Sequence, residues 1–147
     1  MIVSESKIRV RYGETDKMGY VYYGNYPLYY EVGRTDMVRK LGWSYSKMEE
    51  NGTMMPVLSL NVKYIRPAYY DDLLTVRTYL KTLPSSRIDF EYEVFNEAGD
   101  LLNVGSTTLV FVNAETMRPQ PVPEALLSDI KAEFEEYAVE NQKIENQ

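Results

Sequence analysis

The stretch Arg11-Tyr12-Gly13-Glu14-Thr15-Asp16-Lys17-Met18-Gly19-Tyr20-Val21-Tyr22-Tyr23-Gly24-Asn25-Tyr26 decides how the rest of the chain is read. On its N-terminal side Ile8, Val10 and Tyr12 alternate with Lys7, Arg9 and Arg11, the period-two pattern of a strand with one buried face. At Gly13 the alternation lapses into a polar turn carrying Glu14, Asp16 and Gly19, which runs into a cluster of tyrosines. On the C-terminal side Tyr26, Tyr30, Gly33, Met37 and Leu41 recur at three- and four-residue spacing, while Glu31, Arg34, Asp36, Arg39 and Lys40 take the other faces. That spacing predicts a helix over residues 25–41, with Asn25 as N-cap, Pro27 in the first turn and Gly42 as the stop.

Beyond Gly42 the pattern returns to period two. Leu58, Leu60, Val62 and Tyr64 alternate with polar residues, as do Leu74, Val76 and Leu80, and then Ile88, Phe90, Tyr92 and Val94. Each predicts a half-buried strand, the last two joined as a hairpin through Pro84-Ser85-Ser86. The run 101–112 is apolar or small on both faces, as in a strand covered on both sides, which suggests a partner subunit. A proline-broken loop follows, then a short amphipathic helix over 124–137 through Leu126, Ile130 and Phe134, and a polar tail, 139–147, expected to be mobile. With 147 residues, no repeat and no linker, the chain reads as one domain, 1–147. Five strands and one principal helix predict an α+β fold, an antiparallel five-stranded sheet wrapped around one long central helix.

Composition removes several function classes. The net charge is −6 and no basic block is present, so neither nucleic acid nor an anionic membrane is an expected partner. There is no Cys, which removes disulfides and thiolate chemistry and suits a cytoplasmic protein. No apolar run has the length of a signal peptide or of a membrane span. The absence of His excludes a Ser-His-Asp triad, an HExxH zinc site and a His-dependent dehydratase pair. An enzyme built from these residues has to use a carboxylate, assisted by backbone amides and tyrosine, and no metal or other cofactor is expected. The chain's 14 tyrosines join apolar bodies to polar tips, a property that suits clefts and interfaces.

The segment from Arg11 to Tyr26 resembles the loop and helix start of hotdog-fold thioesterases related to bacterial 4-hydroxybenzoyl-CoA thioesterase. Asp16, Gly19, Tyr22, Tyr23, Asn25 and Tyr26 fall on the positions of that family's pattern. The similarity continues through Tyr29-Tyr30-Glu31 and Arg34, then Arg66-Pro67-Ala68 and Asp71-Asp72, and extends to about Val122. Some relatives carry His where Tyr23 stands and others Tyr.

The resemblance implies hydrolysis of an acyl-CoA thioester to free acid and CoA by a homodimer or dimer of dimers. It gives Asp16 the role of nucleophile or general base, and the Tyr23 backbone N–H the role of oxyanion donor. A helix start facing a carboxylate offers amides that favour developing negative charge. Tyr22, Tyr26 and Tyr30 are candidates for the acyl pocket, and Arg66 and Arg87, with Lys81, for the CoA phosphates. Each also has an ordinary reading. Asp16 suits a strand-to-helix turn, Glu14 a solvated turn, the tyrosines core packing and the cations surface solvation. Glu31 sits where another branch of hotdog thioesterases carries its catalytic Glu, but a helix-surface pair with Arg34 accounts for it as well. A hotdog protein that binds acyl thioesters or lipids without turnover, and a thioesterase acting on acyl carrier protein, remain the alternatives.

Overall fold

The computed structural model describes all 147 residues. In chain order it contains β1 (Ile2–Arg9), a 3-10 turn Tyr12–Glu14 and a second at Tyr23–Asn25. Next come α1 (Tyr26–Lys40), α2 (Tyr45–Glu50), β2 (Thr53–Met54), β3 (Val57–Tyr64) and β4 (Leu73–Leu80). The chain finishes with β5 (Arg87–Phe95), β6 (Leu101–Val110), β7 (Val112–Asn113) and α3 (Glu124–Glu145). Five strands form one antiparallel sheet in the order β1-β4-β5-β6-β3, and β2 pairs with β7 in a small ribbon. α1 lies across β1, β4 and β5. This is the α+β hotdog arrangement expected from the sequence.

α1 packs closely because its sheet-facing side is matched to the strands below. Tyr26, Tyr29, Tyr30, Met37 and Val38 join Val10, Leu74, Val76, Ile88, Phe90, Tyr92 and Val94 in one core cluster. A Cβ on Gly33 would run into Thr78 and Val76, so the helix approaches β4 at its glycine. The Tyr30 ring lies flat on that of Tyr92, with centroids 4.2 Å apart, and its hydroxyl donates to Asn103 Oδ1 at 2.6 Å in the buried interior. Gly42, at φ +86°, ends the helix as expected.

Several boundaries differ from the sequence reading for identifiable reasons. β1 starts at Ile2 and ends at Arg9; its inward residues Ser4 and Ser6 are polar, which hid the strand from a hydrophobic pattern. They face the helix because Ser6 Oγ donates to Asp36 Oδ2 (2.7 Å) and Lys40 Nζ donates to Ser4 Oγ (2.9 Å). Tyr12, expected on the buried face, is 78% exposed in the 3-10 turn that follows. Asn25 precedes α1 but does not cap it; its Nδ2 donates instead to the Glu14 carbonyl at 2.8 Å. α2 went unforeseen and is capped by Ser44, whose Oγ accepts from Lys47 N. α3 continues through Glu145, where the sequence reading ended it at Tyr137, so α1 is central but not the longest helix.

β3 also departs from expectation. Within one chain it is exposed along nearly its whole length rather than half-buried, because it is the sheet edge and α1 lies mainly over β1, β4 and β5, touching β3 where Tyr26 meets Tyr64. β6 is buried on its inward side through Asn103, Thr107 and Leu109, while outward Val104 and Val110 are half-buried and Ser106 is exposed, so a single chain does not cover both faces. No helix is long and apolar enough to cross a membrane.

Candidate active site

The acidic turn folds as a closed loop around Asp16. One carboxylate oxygen, Oδ1, accepts from Met18 N (2.9 Å) and Tyr20 N (3.2 Å). The Asp16 backbone exchanges bonds with Tyr20 O (2.8 Å) and Gly19 N (3.0 Å). The tight return needs a left-handed residue, and Gly19 supplies it at φ +79°. These are the local bonds that a short Asp side chain makes with its own loop. They consume one oxygen and leave Oδ2 without a protein partner.

Two sequence motifs meet at this loop. Val21 N donates to the carbonyl of Ala68 (2.8 Å), and Tyr20 bridges to Tyr69, so the Arg66-Pro67-Ala68 segment forms one wall. Glu14 ties the loop to the helix start. Its carbonyl accepts from Tyr22 N (2.9 Å) and Asn25 Nδ2 (2.8 Å), and its side chain, only 16% exposed, accepts from Arg11 N. Glu14 is therefore a brace and not the solvated turn residue its sequence context suggested.

Between these walls runs a groove of about 260 Å3, and Asp16, Tyr23, Tyr26 and Arg66 all line it. Tyr64, Ile65 and Pro67, where β3 ends, and Met18, Tyr20 and Val21 complete the lining. The groove is largely apolar, and its charged members are Asp16 and Arg66. Arg66, on the exposed rim, pairs with Asp100 at 3.6 Å. Tyr23 and Gly24 open the 3-10 turn that leads into α1, where backbone N–H groups have no carbonyl one turn earlier to bond. The Tyr64 hydroxyl donates to the Tyr23 carbonyl at 2.9 Å.

Tyr26 and Tyr64 hold their protons more tightly than a free phenol. Burial pushes the Tyr26 hydroxyl up to about 12, and burial also raises Tyr64. Tyr22 is raised chiefly by its hydrogen bond with the Tyr23 side chain. Nowhere do three or more Asp or Glu side chains gather in a metal-holding arrangement.

Three sequence candidates lie outside the groove in a single chain. Tyr30 is wholly buried between α1 and the sheet, Tyr22 is half exposed and tilts against Tyr23, and Arg87 begins β5 at the opposite end of the sheet. Lys81 pairs with Glu91 at 2.7 Å on the outer face. Glu31 is exposed and 4.0 Å from the buried Arg34. Tyr64 and Ile65 were not singled out from sequence, because alternation marked them only as strand residues.

Fold and groove together define a hotdog protein of thioesterase type. The model of the thioesterase-like superfamily matches residues 10–130, and the chain belongs to that superfamily. It is 37% identical over 119 residues to YneP of Bacillus subtilis, covering 81% of this chain and 86% of that one. It is 29% identical over 124 residues to the acyl-CoA thioester hydrolase YbgC of Escherichia coli, covering 84% and 92%. The crystal structure of a DHNA-CoA thioesterase from Staphylococcus aureus superimposes with a TM-score of 0.86 at 38% identity, over 97% of this chain and 96% of that one.

Proposed function

We propose that this chain is an acyl-CoA thioesterase that hydrolyses an acyl-CoA to free acid and CoA. Asp16 acts as nucleophile or general base, and the Tyr23 backbone N–H is the oxyanion donor. The observation that carries the proposal is the sharing of one groove by Asp16, its sole carboxylate, and Tyr23, at the turn that opens into α1. The activities named for the Escherichia coli and Staphylococcus aureus relatives support the same reaction class.

The chemistry follows from the free oxygen. As general base, Asp16 Oδ2 takes a proton from water as the water oxygen bonds to the thioester carbon; as nucleophile, the same oxygen attacks that carbon directly. In either case charge moves onto the carbonyl oxygen, where an N–H at a helix start stabilises it. Collapse breaks the C–S bond and releases CoA as its thiolate, which takes up a proton; on the nucleophilic route it leaves an acyl–Asp16 anhydride, which water then hydrolyses to the free acid and the regenerated carboxylate. Thiols ionise far more readily than alcohols, a cysteine thiol at ~8.5, so the leaving group needs little help from an acid, and a chain without His can manage the step.

Arg66 at the rim offers a cation to the CoA phosphates, while Tyr26 flanks the thioester and Tyr22, outside the groove, backs Tyr23. Arg87 and Tyr30 serve substrate only through a rearranged or shared interface. A homodimer is part of the proposal, because β3 leaves Leu58, Leu60 and Tyr64 about half exposed on an unpaired edge.

Thiol release from a panel of acyl-CoAs tests the function. Asp16→Asn keeps the Oδ1 bonds and is expected to lose on the order of 10^3-fold or more in kcat while retaining CoA-ester affinity. A binding protein without turnover would release no thiol in either form. A rapidly quenched single turnover separates the two roles, since a nucleophilic Asp16 carries the acyl group as an anhydride that mass spectrometry detects and a general base never does.

A further inference from the structure

The floor of the Asp16 groove carries a hydrogen-bonding arrangement that the reaction above leaves unused. Among the residues lining the groove, Tyr26 and Val21 are the buried ones, at 3% and 5% exposure, so together they form its floor. Tyr26 opens α1, one helical turn before Tyr30, and its ring meets that of Tyr64 edge to face with centroids 5.6 Å apart.

Below Tyr26 and Tyr30 lies Asn103 of β6. It stands directly opposite Tyr64 in the ladder between β3 and β6, and it is fully buried. The Tyr30 hydroxyl donates to its Oδ1 at 2.6 Å, a separation that suits an O–H donor and is short for an N–H donor. That bond fixes which way the amide faces, with Oδ1 toward Tyr30 and Nδ2 away from it. The reverse orientation would make Asn103 the donor and leave the Tyr30 hydrogen without an acceptor.

Asn103 Nδ2 is sealed from water and has no bonded partner. Buried donors are rarely left in this state. On the groove side Asn103 neighbours the Tyr26 hydroxyl, whose hold on its proton is eased by Asn103 and by the Ala68 N–H, while burial outweighs both and keeps the group protonated up to about 12. A tyrosine oxygen that faces two N–H donors turns its own hydrogen elsewhere, and the open direction is the groove. The acceptor that every acyl-CoA brings there is its carbonyl oxygen. Tyr23 and Tyr26, three positions apart at the turn into α1, both line the groove that receives it.

We propose that the Tyr26 hydroxyl is a second oxyanion donor beside the Tyr23 N–H, and that Asn103 is the positioning residue that turns its hydrogen toward the thioester carbonyl. The inference rests on the thioesterase reading above and deepens it. A donor held by the fold in this way needs no reorganisation as charge grows on the oxygen.

Kinetics and infrared spectroscopy test the pair. With whichever of acetyl-, hexanoyl- and benzoyl-CoA is hydrolysed fastest, Tyr26→Phe is expected to lose on the order of 10^2-fold in kcat while KM stays within about threefold of wild type. Asn103→Leu, similar in shape but without the donor, should lose about tenfold in kcat, and adding it to Tyr26→Phe should cost less than about twofold more, because it acts through that hydroxyl. A full kcat in Tyr26→Phe, a rise in KM alone, or losses that multiply in the double variant overturns the proposal. The bond itself is read from benzoyl-CoA, isotopically labelled at its carbonyl and bound to Asp16→Asn. Adding Tyr26→Phe should raise the carbonyl stretching frequency and adding Asn103→Leu should raise it part of the way, whereas a change in packing alone leaves the band in place. An unmoved band overturns the idea. Should Asn103→Leu fail to accumulate, Tyr30→Phe, which frees the amide to turn, must lower kcat several-fold at unchanged KM, and an unaltered kcat ends the role of Asn103. If the wild type releases no thiol from any of the three esters, the hydrolase reading itself fails, and the infrared comparison still decides on the donor.

Discussion

The hydroxyl of Tyr64, at the last position of β3, donates a 2.9 Å hydrogen bond to the carbonyl of Tyr23, at the first position of the 3-10 turn before α1. This bond ties the sheet edge to the turn that opens into α1 beside the groove. Tyr64 is half exposed, so its hydroxyl contributes little to the fold. Tyr64→Phe is expected to leave Tm nearly unchanged and to lower kcat by about tenfold, the equivalent of ~1.4 kcal/mol, with a small effect on KM. Steady-state kinetics beside a thermal melt checks the split; a fall in KM-dependent binding alone would show that Tyr64 contacts substrate and does not position the turn.

The two backbone bonds accepted by Asp16 Oδ1 give a structural role that can be measured apart from chemistry. Asp16→Asn retains an acceptor at that position, while Asp16→Ala leaves Met18 N and Tyr20 N without their partner. Both variants should lack activity, but the alanine chain should be less stable by about 0.5–1.5 kcal/mol. Urea unfolding of the pair reads the difference, and equal midpoints would mean that the loop does not depend on the carboxylate.

What the sequence made legible was whatever local chemistry fixes by itself. Gly42 stops a helix, Gly19 turns a loop, and Leu74, Val76 and Leu80 alternate because one face is buried; none of these depends on distant contacts. The inward serines of β1 were opaque, since their partners Asp36 and Lys40 lie on a helix some thirty positions away. The site was half legible for the same reason. Asp16 and Tyr23 belong to one continuous motif, but Tyr64 and Arg66 join them only once β3 is seated beside β6. The exposure of β3 was hidden from any reading of alternation, which reports what a strand is built to bury and not what one chain covers.

The helix–sheet fit yields a packing prediction. A Cβ on Gly105, in β6 beneath α1, would collide with the Tyr30 ring and hydroxyl. Tyr30 is itself fixed by its stack on Tyr92 and its bond to Asn103, so it has no room to yield. Gly105→Ala should destabilise the fold by about 1–3 kcal/mol through overpacking. Calorimetry tests this, and pairing the change with Tyr30→Phe, which removes only the hydroxyl, should recover little because the ring still blocks the space.

Tyr45 presents the opposite case. Its hydroxyl is buried without a partner at the wall of a methionine-lined cleft. A buried polar group with no bond carries a desolvation cost, on the order of 1–3 kcal/mol. Tyr45→Phe should therefore match or exceed the wild type in stability, and a marked drop in Tm would show that Arg34 or Thr35 beside it bonds the hydroxyl after all.

Alkaline pH tests the tyrosine core as a whole. Burial raises Tyr26 to about 12 and moves Tyr29 and Tyr30 further in the same direction, against 10.0 for a free phenol. Each group thus holds its proton more tightly folded than unfolded. The stabilisation from that preference is complete below pH 10 and is lost as pH rises through the folded value, because the unfolded chain releases the protons first. By absorbance at the phenolate band, the buried set should ionise only in a cooperative step above pH ~10 that coincides with loss of ellipticity. A single smooth titration of all the tyrosines near pH ~10, with secondary structure retained, would contradict a core sealed by α1.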